Sequence, residues 1–246
     1  MKILITGAAG QIGSGLSKLL IENGHDLTLV DNLRNGYLEN LKDDANEVIA
    51  PFYEVDITSG EFFLQCGDQY DVIIHLAAIT SLPDCESNPL ETLRINVSGT
   101  ANVLEFARKN SVPHVVFAST SAVYENNDVE VFTEDLDVNP RLYYSLSKKM
   151  AEELVHSYRE NYGLNVTILR YFNVFGPRSP QRGQYAPVIG IFRRQKNDGE
   201  PLTIIGDGSQ TRDFVHVTDV ARANYLAAIF PLKRDVEYVD GYDQTG

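Results

Sequence analysis

The sequence predicts an α/β fold built on a doubly wound parallel sheet, and three observations predict it. Short apolar runs alternate with helix-like periods along residues 1–170. The strand-like runs lack polar alternation, so both of their faces must be covered. A glycine-rich turn joins the first run to the first helix, the junction at which such sheets hold a dinucleotide. Right-handed crossovers between these strands then place helices on both faces.

The elements follow in order. Residues 2–6 read as a buried strand, the glycine turn comes next, and residues 11–23 carry a helical period. Residues 26–31 form a second strand, 47–55 a third and 71–75 a fourth. A long helix is expected over residues 89–110, a fifth strand over 114–118, a helix over 144–162 and a strand over 165–169. After Arg170 the chain becomes rich in Gly, Pro, Arg and Gln. One helix is expected there around residues 186–197 and a short strand over 202–205, before helix returns at 218–230. This pattern predicts a cofactor-binding domain over residues 1–170, with residues 214–235 returning to it. Residues 171–213 and 236–246 form a small substrate-binding region, the former lying as a lid over the sheet.

Composition narrows the function. The 246 residues are 43% hydrophobic, enough for a sizeable core. No apolar run approaches the roughly 18 residues that cross a bilayer, so no membrane span is expected. Met1 leads straight into an apolar strand with neither a basic segment nor a small-residue cleavage site, which reads as no secretory leader. Cys66 and Cys85 lack metal or redox spacing and read as free thiols in a reducing cytoplasm, with no metal site expected. The net charge of −13 repels nucleic acid. It leaves room for a small phosphorylated ligand held by local arginines.

The turn Gly7-Ala8-Ala9-Gly10-Gln11-Ile12-Gly13 permits a tight bend and close backbone approach to a pyrophosphate. The helix that follows aims its free N–H groups and positive dipole end at those phosphates. Asp31, at the end of the second strand, is placed to accept hydrogen bonds from an adenosine ribose and to repel a 2′-phosphate. This favours NAD, while Arg34 nearby keeps an NADP reading open; a plain turn role is the bland alternative for Asp31. Asp56-Ile57 is placed to meet the adenine. Leu76-Ala77-Ala78 are small enough, after His75, to let the backbone lie against the cofactor.

Tyr144-Ser145-Leu146-Ser147-Lys148 opens a helix, and a four-residue step puts Tyr144 and Lys148 on one face. A cationic lysine beside a phenol is expected to lower its proton affinity. Tyr144 is then fit to take a proton from a sugar hydroxyl as hydride leaves the carbon. Ser119-Thr120-Ser121 leaves the C-terminal end of the fifth strand. A hydroxyl there is placed to bond the reacting oxygen, with the choice among the three open.

With these residues in place, the chain resembles the extended short-chain dehydrogenase/reductases, which are Rossmann-fold enzymes. Within them it is most similar to NAD-dependent nucleotide-sugar epimerases of the UDP-glucose 4-epimerase type. The resemblance rests on Gly7, Gly10, Gly13, Asp31, Asp56-Ile57, His75-Leu76-Ala77-Ala78, Asn96-Val97-Ser98-Gly99-Thr100, Thr120-Ser121-Ala122-Val123-Tyr124 and Tyr144 with Lys148. It continues through residues 170–178 and 206–216. It implies Thr120 as the catalytic hydroxyl, with Ser121 second, Tyr144 as base and Lys148 on the nicotinamide ribose. It implies Asn96 as an active-site asparagine among the cofactor contacts, where Gln11, Ile12, Asn32 and Tyr171 also stand. Ser81, Asn173 and Arg212 are the implied substrate contacts beyond Thr120 and Tyr144, with Asn173 and Arg212 at the diphosphate. The implied reaction is transient oxidation at sugar C4 of a nucleotide-diphosphate sugar, with NAD regenerated. The implied assembly is a homodimer through helices 89–110 and 144–162.

Two departures qualify the resemblance. Related 4,6-dehydratases carry an acidic pair after the catalytic threonine, and decarboxylases a glutamate in that loop; here Ser121 and Ala122 follow Thr120. The relatives also run on past the position of Gly246, so the sugar pocket is expected to be shortened. Two rivals follow: another nucleotide-sugar oxidoreductase or dehydratase on this scaffold, and a cofactor-binding protein without turnover.

Overall fold

The computed structural model describes residues 1–67, 69–179 and 187–230. Six parallel strands form the main sheet: β1 (Lys2–Thr6), β2 (Asp26–Asp31), β3 (Phe52–Glu54), β4 (Val72–His75), β5 (His114–Thr120) and β6 (Asn165–Tyr171). Their order is β3-β2-β1-β4-β5-β6. The chain starts in the middle, winds out to β3, returns beside β1 as β4 and winds to the other edge. The reversal between β1 and β4 opens a crevice at the C-terminal strand ends, where open α/β sheets bind ligands. The fold class is the one the sequence predicts.

The helices are α1 (Gln11–Glu22), α2 (Glu61–Gln65), α3 (Leu82–Ser87), α4 (Pro89–Leu93), α5 (Thr100–Lys109), α6 (Tyr143–Tyr162), α7 (Val188–Asn197) and α8 (Val217–Ile229). The strands are apolar on both faces because each face belongs to a different core. Ile3, Ile5, Ile74 and Val116 pack with Leu16 and Leu20 of α1 and Ala221 and Ala228 of α8. Leu4, Ile73, Val115 and Phe117 pack with Val103 and Phe106 of α5 and Ala151 and Val155 of α6. Successive side chains of a strand alternate between faces, so Ile3-Leu4-Ile5 feeds both cores.

Three expected elements differ from those observed. The third strand is only Phe52–Glu54, paired with Leu29 to Asp31. Ahead of it the chain folds back on itself, with a Lys42–Val48 bridge and an Ile49 N–H bond to the Leu41 carbonyl. The long helix is broken in pitch: a π-helical segment, Arg94–Gly99, separates α4 from α5. Residues 202–205 are not a strand. Gln195 of α7 accepts from the Thr203 N–H and donates to its hydroxyl oxygen, and Ile204 and Ile205 are exposed. A two-stranded parallel sheet that the pattern did not suggest joins β7 (Asn173–Phe175) to β8 (Phe214–His216).

Helix α6 carries the candidate chemistry, and its start is held by carboxylates rather than by a cap at Leu142. Glu125 accepts from the N–H groups of Arg141 and Leu142 and from the Ser145 hydroxyl. Glu86 accepts from Tyr143 N–H at 2.7 Å. Negative groups at a helix start satisfy its free donors and oppose its dipole. At the other end Gly163 takes φ +66°, a left-handed stop that glycine adopts without strain.

Candidate functional site

The glycine turn is built as a cradle. A Cβ on Gly7, at φ +73°, would stand 2.7 Å from Ala77 N, and one on Gly13 only 2.3 Å from the Gly7 carbonyl. Close backbone packing therefore requires glycine at both. Gly10 differs: a Cβ there would meet nothing nearer than the Gly7 carbonyl at 3.4 Å, so its outer side is open. Helix α1 starts at Gly10 with no side-chain cap and no acidic residue in its first turn. Gln11 places its amide nitrogen there, buried and without a partner among the described residues. Open N–H groups, a positive dipole end and a buried unsatisfied donor fit the oxygens of a pyrophosphate. Ile12 lies half-buried in the same turn. Arg178, from the loop after β7, donates to Ser14 of this turn at 2.9 Å.

At the end of β2, Asp31 accepts from Ala9 N–H at 2.9 Å and Leu33 N–H at 2.8 Å. Burial pushes its pKa up, against the pull of these bonds. The carboxylate therefore also fastens the glycine turn, the structural role weighed beside the ribose role. Asn32 donates to Asp56 at 3.1 Å. Asp56 accepts from Thr58 N–H and hydroxyl, which with Asn32 hold its pKa down despite partial burial. Ile57 points into the core, where a Cβ on Gly99 would lie 2.6 Å from its Cδ1. Its side chain is thus a packing group, which leaves its backbone for the adenine contact the sequence suggested.

Leu76, Ala77 and Ala78 leave β4 half-exposed along the crevice. A buried polar chain fixes them. Thr100 donates to the Asn96 carbonyl at 2.6 Å, so its oxygen accepts from His75 Nε2 at 3.0 Å. His75 Nδ1 then accepts from Thr6 at 2.7 Å. The imidazole is neutral, its pKa driven down to about 3 by burial and then by Lys148. Asn96 clamps Ile79, accepting its N–H at 2.8 Å and donating to its carbonyl at 2.9 Å. The same amide donates to Ser147 at 2.9 Å, and Ser147 donates to the Tyr144 carbonyl at 2.7 Å. Asn96 is 1% exposed and its amide is bonded to Ile79 and Ser147, so it braces the β4 exit against α6.

Tyr144 and Lys148 both face β5 from α6. The Tyr144 phenol lies within hydrogen-bonding reach of Thr120, the last residue of β5, and packs beside Ile79, Cys85 and Ile95. The Lys148 ammonium lies 4.2 Å over the Phe117 ring. The four-residue step thus puts them on one face, but the expected electrostatics do not hold in the free chain. Burial raises the Tyr144 pKa, offset by the Thr120 bond. Burial also lowers the Lys148 pKa to about 7, against the pull of Glu152. Desolvation wins at both groups because each is packed away from water and a half-neutral lysine attracts a phenolate weakly. Ser121 begins a short 3₁₀ turn, Ser121–Tyr124, and is half-buried.

Beneath the pair lies a charged cluster that sequence reasoning missed. Glu152, 1% exposed, takes a two-pronged bond from Arg170 at 3.0 and 2.7 Å and a third from Ser119. Its signal was a carboxylate one turn past Lys148 on the inward face of α6. Two further expected contacts also bond within the protein. Tyr171 donates to Asn224 of α8 at 2.7 Å, and burial raises its pKa; its hydroxyl serves helix docking. Ser81 caps α3 by accepting from Asp84 N–H at 3.3 Å. Asn173 donates to the Asp213 carbonyl at 2.9 Å, drawing β7 and β8 together next to exposed Arg212. The cavity there, about 300 Å³, is lined by Gly176, Arg178, Arg193 and His216 rather than Arg212. Among the described residues no cluster has metal-binding composition and no helix is long and apolar enough to cross a membrane.

Residues 3–236 match the model of the NAD dependent epimerase/dehydratase family. A UDP-glucose 4-epimerase of Thermotoga maritima, solved with UDP-glucose, is 38% identical with a TM-score of 0.85, over 92% of this chain and 73% of that one. The UDP-glucose 4-epimerase of Thermus thermophilus, solved with NAD, is 34% identical with a TM-score of 0.84, over 95% and 76%. A UDP-N-acetyl-alpha-D-glucosaminuronate decarboxylase of Bacillus cytotoxicus is 37% identical over 92% of this chain and 70% of its own length.

Proposed function

Given that the chain belongs to the NAD-dependent epimerase/dehydratase family, we propose that it interconverts the C4 epimers of a UDP-sugar through a transient 4-keto sugar. The observation that carries this reading is the junction of β5 and α6: Thr120 against the Tyr144 phenol, with Lys148 on the same helix face.

The turn residues Gly7, Gly10, Gln11 and Gly13, with Asp31 and the backbone of Leu76-Ala77-Ala78, would hold NAD. Bound NAD supplies the hydride acceptor and donor. Tyr144, as the phenolate that a charged Lys148 and the positive ring of bound NAD would favour, accepts the C4 hydroxyl proton and later returns it. Thr120 bonds the reacting oxygen and keeps the phenol directed at it. Lys148 carries positive charge along α6, and Glu152 favours that charge. The buried chain from Thr6 to Ser147 keeps the β4 exit and α6 in fixed relation, which proton transfer at hydrogen-bond distance demands. Arg178, Arg193 and Arg212 supply guanidinium groups suited to a diphosphate.

Ala122 favours epimerisation over decarboxylation and dehydration, since neither Ser121 nor Ala122 provides a carboxyl group after Thr120. The same reading carries a homodimer through residues 89–110 and 144–162, in the cytoplasm. Incubation with UDP-galactose and with UDP-N-acetylglucosamine, followed by chromatography of the nucleotide sugar, tests it. A C4 epimer is expected from wild type and none from Tyr144→Phe. A UDP-pentose from a UDP-uronate, or a 4-keto-6-deoxy product, would replace the epimerase reading with the corresponding rival. Equal inactivity of wild type and variant, with NAD still bound, would remove it.

A further inference from the structure

The turn after β2, the turn after β3 and helix α4 are joined by a closed ring of polar contacts at the crevice rim. Asn32 donates to Asp56 at 3.1 Å. Arg94 lies 3.9 Å from Asp56 and makes a two-pronged bond to Glu91 at 2.7 and 2.9 Å. Glu91 also accepts from Arg34 at 3.1 Å, and Arg34 reaches Asp84 of α3 at 3.5 Å. The Arg34 N–H donates to Asn32 at 3.1 Å and closes the ring.

A guanidinium just past the end of β2 is the group a ribose 2′-phosphate needs. In this chain that guanidinium is turned away, onto two carboxylates. Asp31 accepts one backbone N–H on each oxygen and keeps lone pairs and charge that oppose a 2′-phosphate, so the hold on Arg34 acts beside it. We propose that Glu91 and Asp84 set dinucleotide selectivity by holding Arg34 and so denying it to a 2′-phosphate. Exposed ion pairs add little to stability, but selectivity turns on which anion the guanidinium takes. A phosphate offers the same two-pronged geometry as a carboxylate and more charge. Two carboxylates held by α3 and α4, one of them only 12% exposed, keep Arg34 committed.

The inference rests on the reading of the crevice as an NAD site, and the experiment separates the two. Wild type, Asp84→Asn/Glu91→Gln and the same pair with Arg34→Ala are titrated with NAD and with NADP by calorimetry. Wild type binding neither dinucleotide overturns the site and the inference together. With NAD bound, the double variant is expected to gain about tenfold in NADP affinity relative to NAD, equivalent to ~1.4 kcal/mol. The gain is expected to vanish when Arg34 is also replaced. An unchanged NADP-to-NAD ratio in the double variant overturns the inference alone, as does a gain that survives without Arg34. Should the double variant lose NAD as well, Asp84→Asn alone and Glu91→Gln alone decide. A raised NADP-to-NAD ratio in either supports the proposal, and an unchanged ratio in both overturns it.

Discussion

Replacing Lys148 by methionine is expected to stabilise the cofactor-free protein at acid pH while abolishing turnover. Lys148 is 3% exposed and its pKa falls from 10.5 to about 7. At about 1.4 kcal/mol per pKa unit, holding the ammonium in place costs roughly 5 kcal/mol in the charged state. A lysine with a depressed folded-state pKa carries that cost in full below pH 7. The unfolded chain binds the extra proton between pH 7 and 10.5, so stability rises with pH across that window. Methionine fills similar volume over Phe117 without charge, and Glu152 keeps its bonds to Arg170 and Ser119. Relaxation and loss of the Glu152 attraction reduce the gain, leaving about 2 kcal/mol at pH 6, in the range for apolar replacement of buried charge. For a chain of this size this raises Tm by roughly 4–8 °C. Urea unfolding of both proteins at pH 6 and pH 9, followed by circular dichroism, measures it. The advantage is expected to shrink at pH 9. A variant less stable at pH 6, or an advantage that grows with pH, would refute the argument that desolvation dominates at Lys148.

Further expectations follow from the same geometry. Gly13→Ala brings a methyl to 2.3 Å of the Gly7 carbonyl and should lose NAD binding in calorimetry. Gly15→Ala in the same helix meets nothing within 4 Å and should raise stability by about 0.5–1 kcal/mol in urea unfolding. Glu152→Ala leaves Arg170 half-buried and unpaired and should cost about 3 kcal/mol; a loss under 1 kcal/mol would show that water reaches the pair. The His75 imidazole should stay neutral in NMR titration down to about pH 4, since its pKa is about 3. Stability is then lost as pH falls from 6.5, where the unfolded chain takes up the proton, towards 3.

Much of the fold was legible in the sequence because its signals are local. Ile3-Leu4-Ile5, Val72-Ile73-Ile74 and Val115-Val116-Phe117-Ala118 are apolar at every position, as a sheet buried on both faces requires. The glycine turn was legible for the same reason: φ +73° at Gly7 and the 2.3 Å approach at Gly13 admit few alternatives. What escaped depends on partners distant in sequence. The β7–β8 sheet joins residues forty-one apart, and three-residue strands carry no periodicity. The expected strand at residues 202–205 is apolar enough, but a side chain from α7 took its backbone and hydroxyl groups first. In the site, residue types were legible and commitments were not. Asn96, Ser81 and Tyr171 read as ligand contacts from their positions, and each also bonds a protein group distant in sequence or at a helix start, which the pattern did not show.

These commitments explain how one helix is aimed at the strand ends. A phenol that exchanges a proton with a substrate must hold its place to a fraction of an ångström, and exposed loops do not provide that. Here the constraint is carried through an inner line: Thr6 at the end of β1, His75 at the end of β4, Thr100 at the start of α5, Asn96 on the π-helical turn, Ser147 and the Tyr144 carbonyl on α6. The π turn adds a residue to the helical pitch, so Asn96 reaches both Ile79 and Ser147. The line begins beside Gly7, so a displacement of the glycine turn is transmitted to the residue that would take the proton. The bonds from Thr6 to Ser147 are buried, and breaking one strands a donor or acceptor at a cost of about 1–3 kcal/mol. The cofactor end and the chemical end are therefore one mechanical unit. Thr100→Val, far from any ligand, should disturb activity by freeing His75 Nε2, whereas Arg34, on the exposed rim, should not.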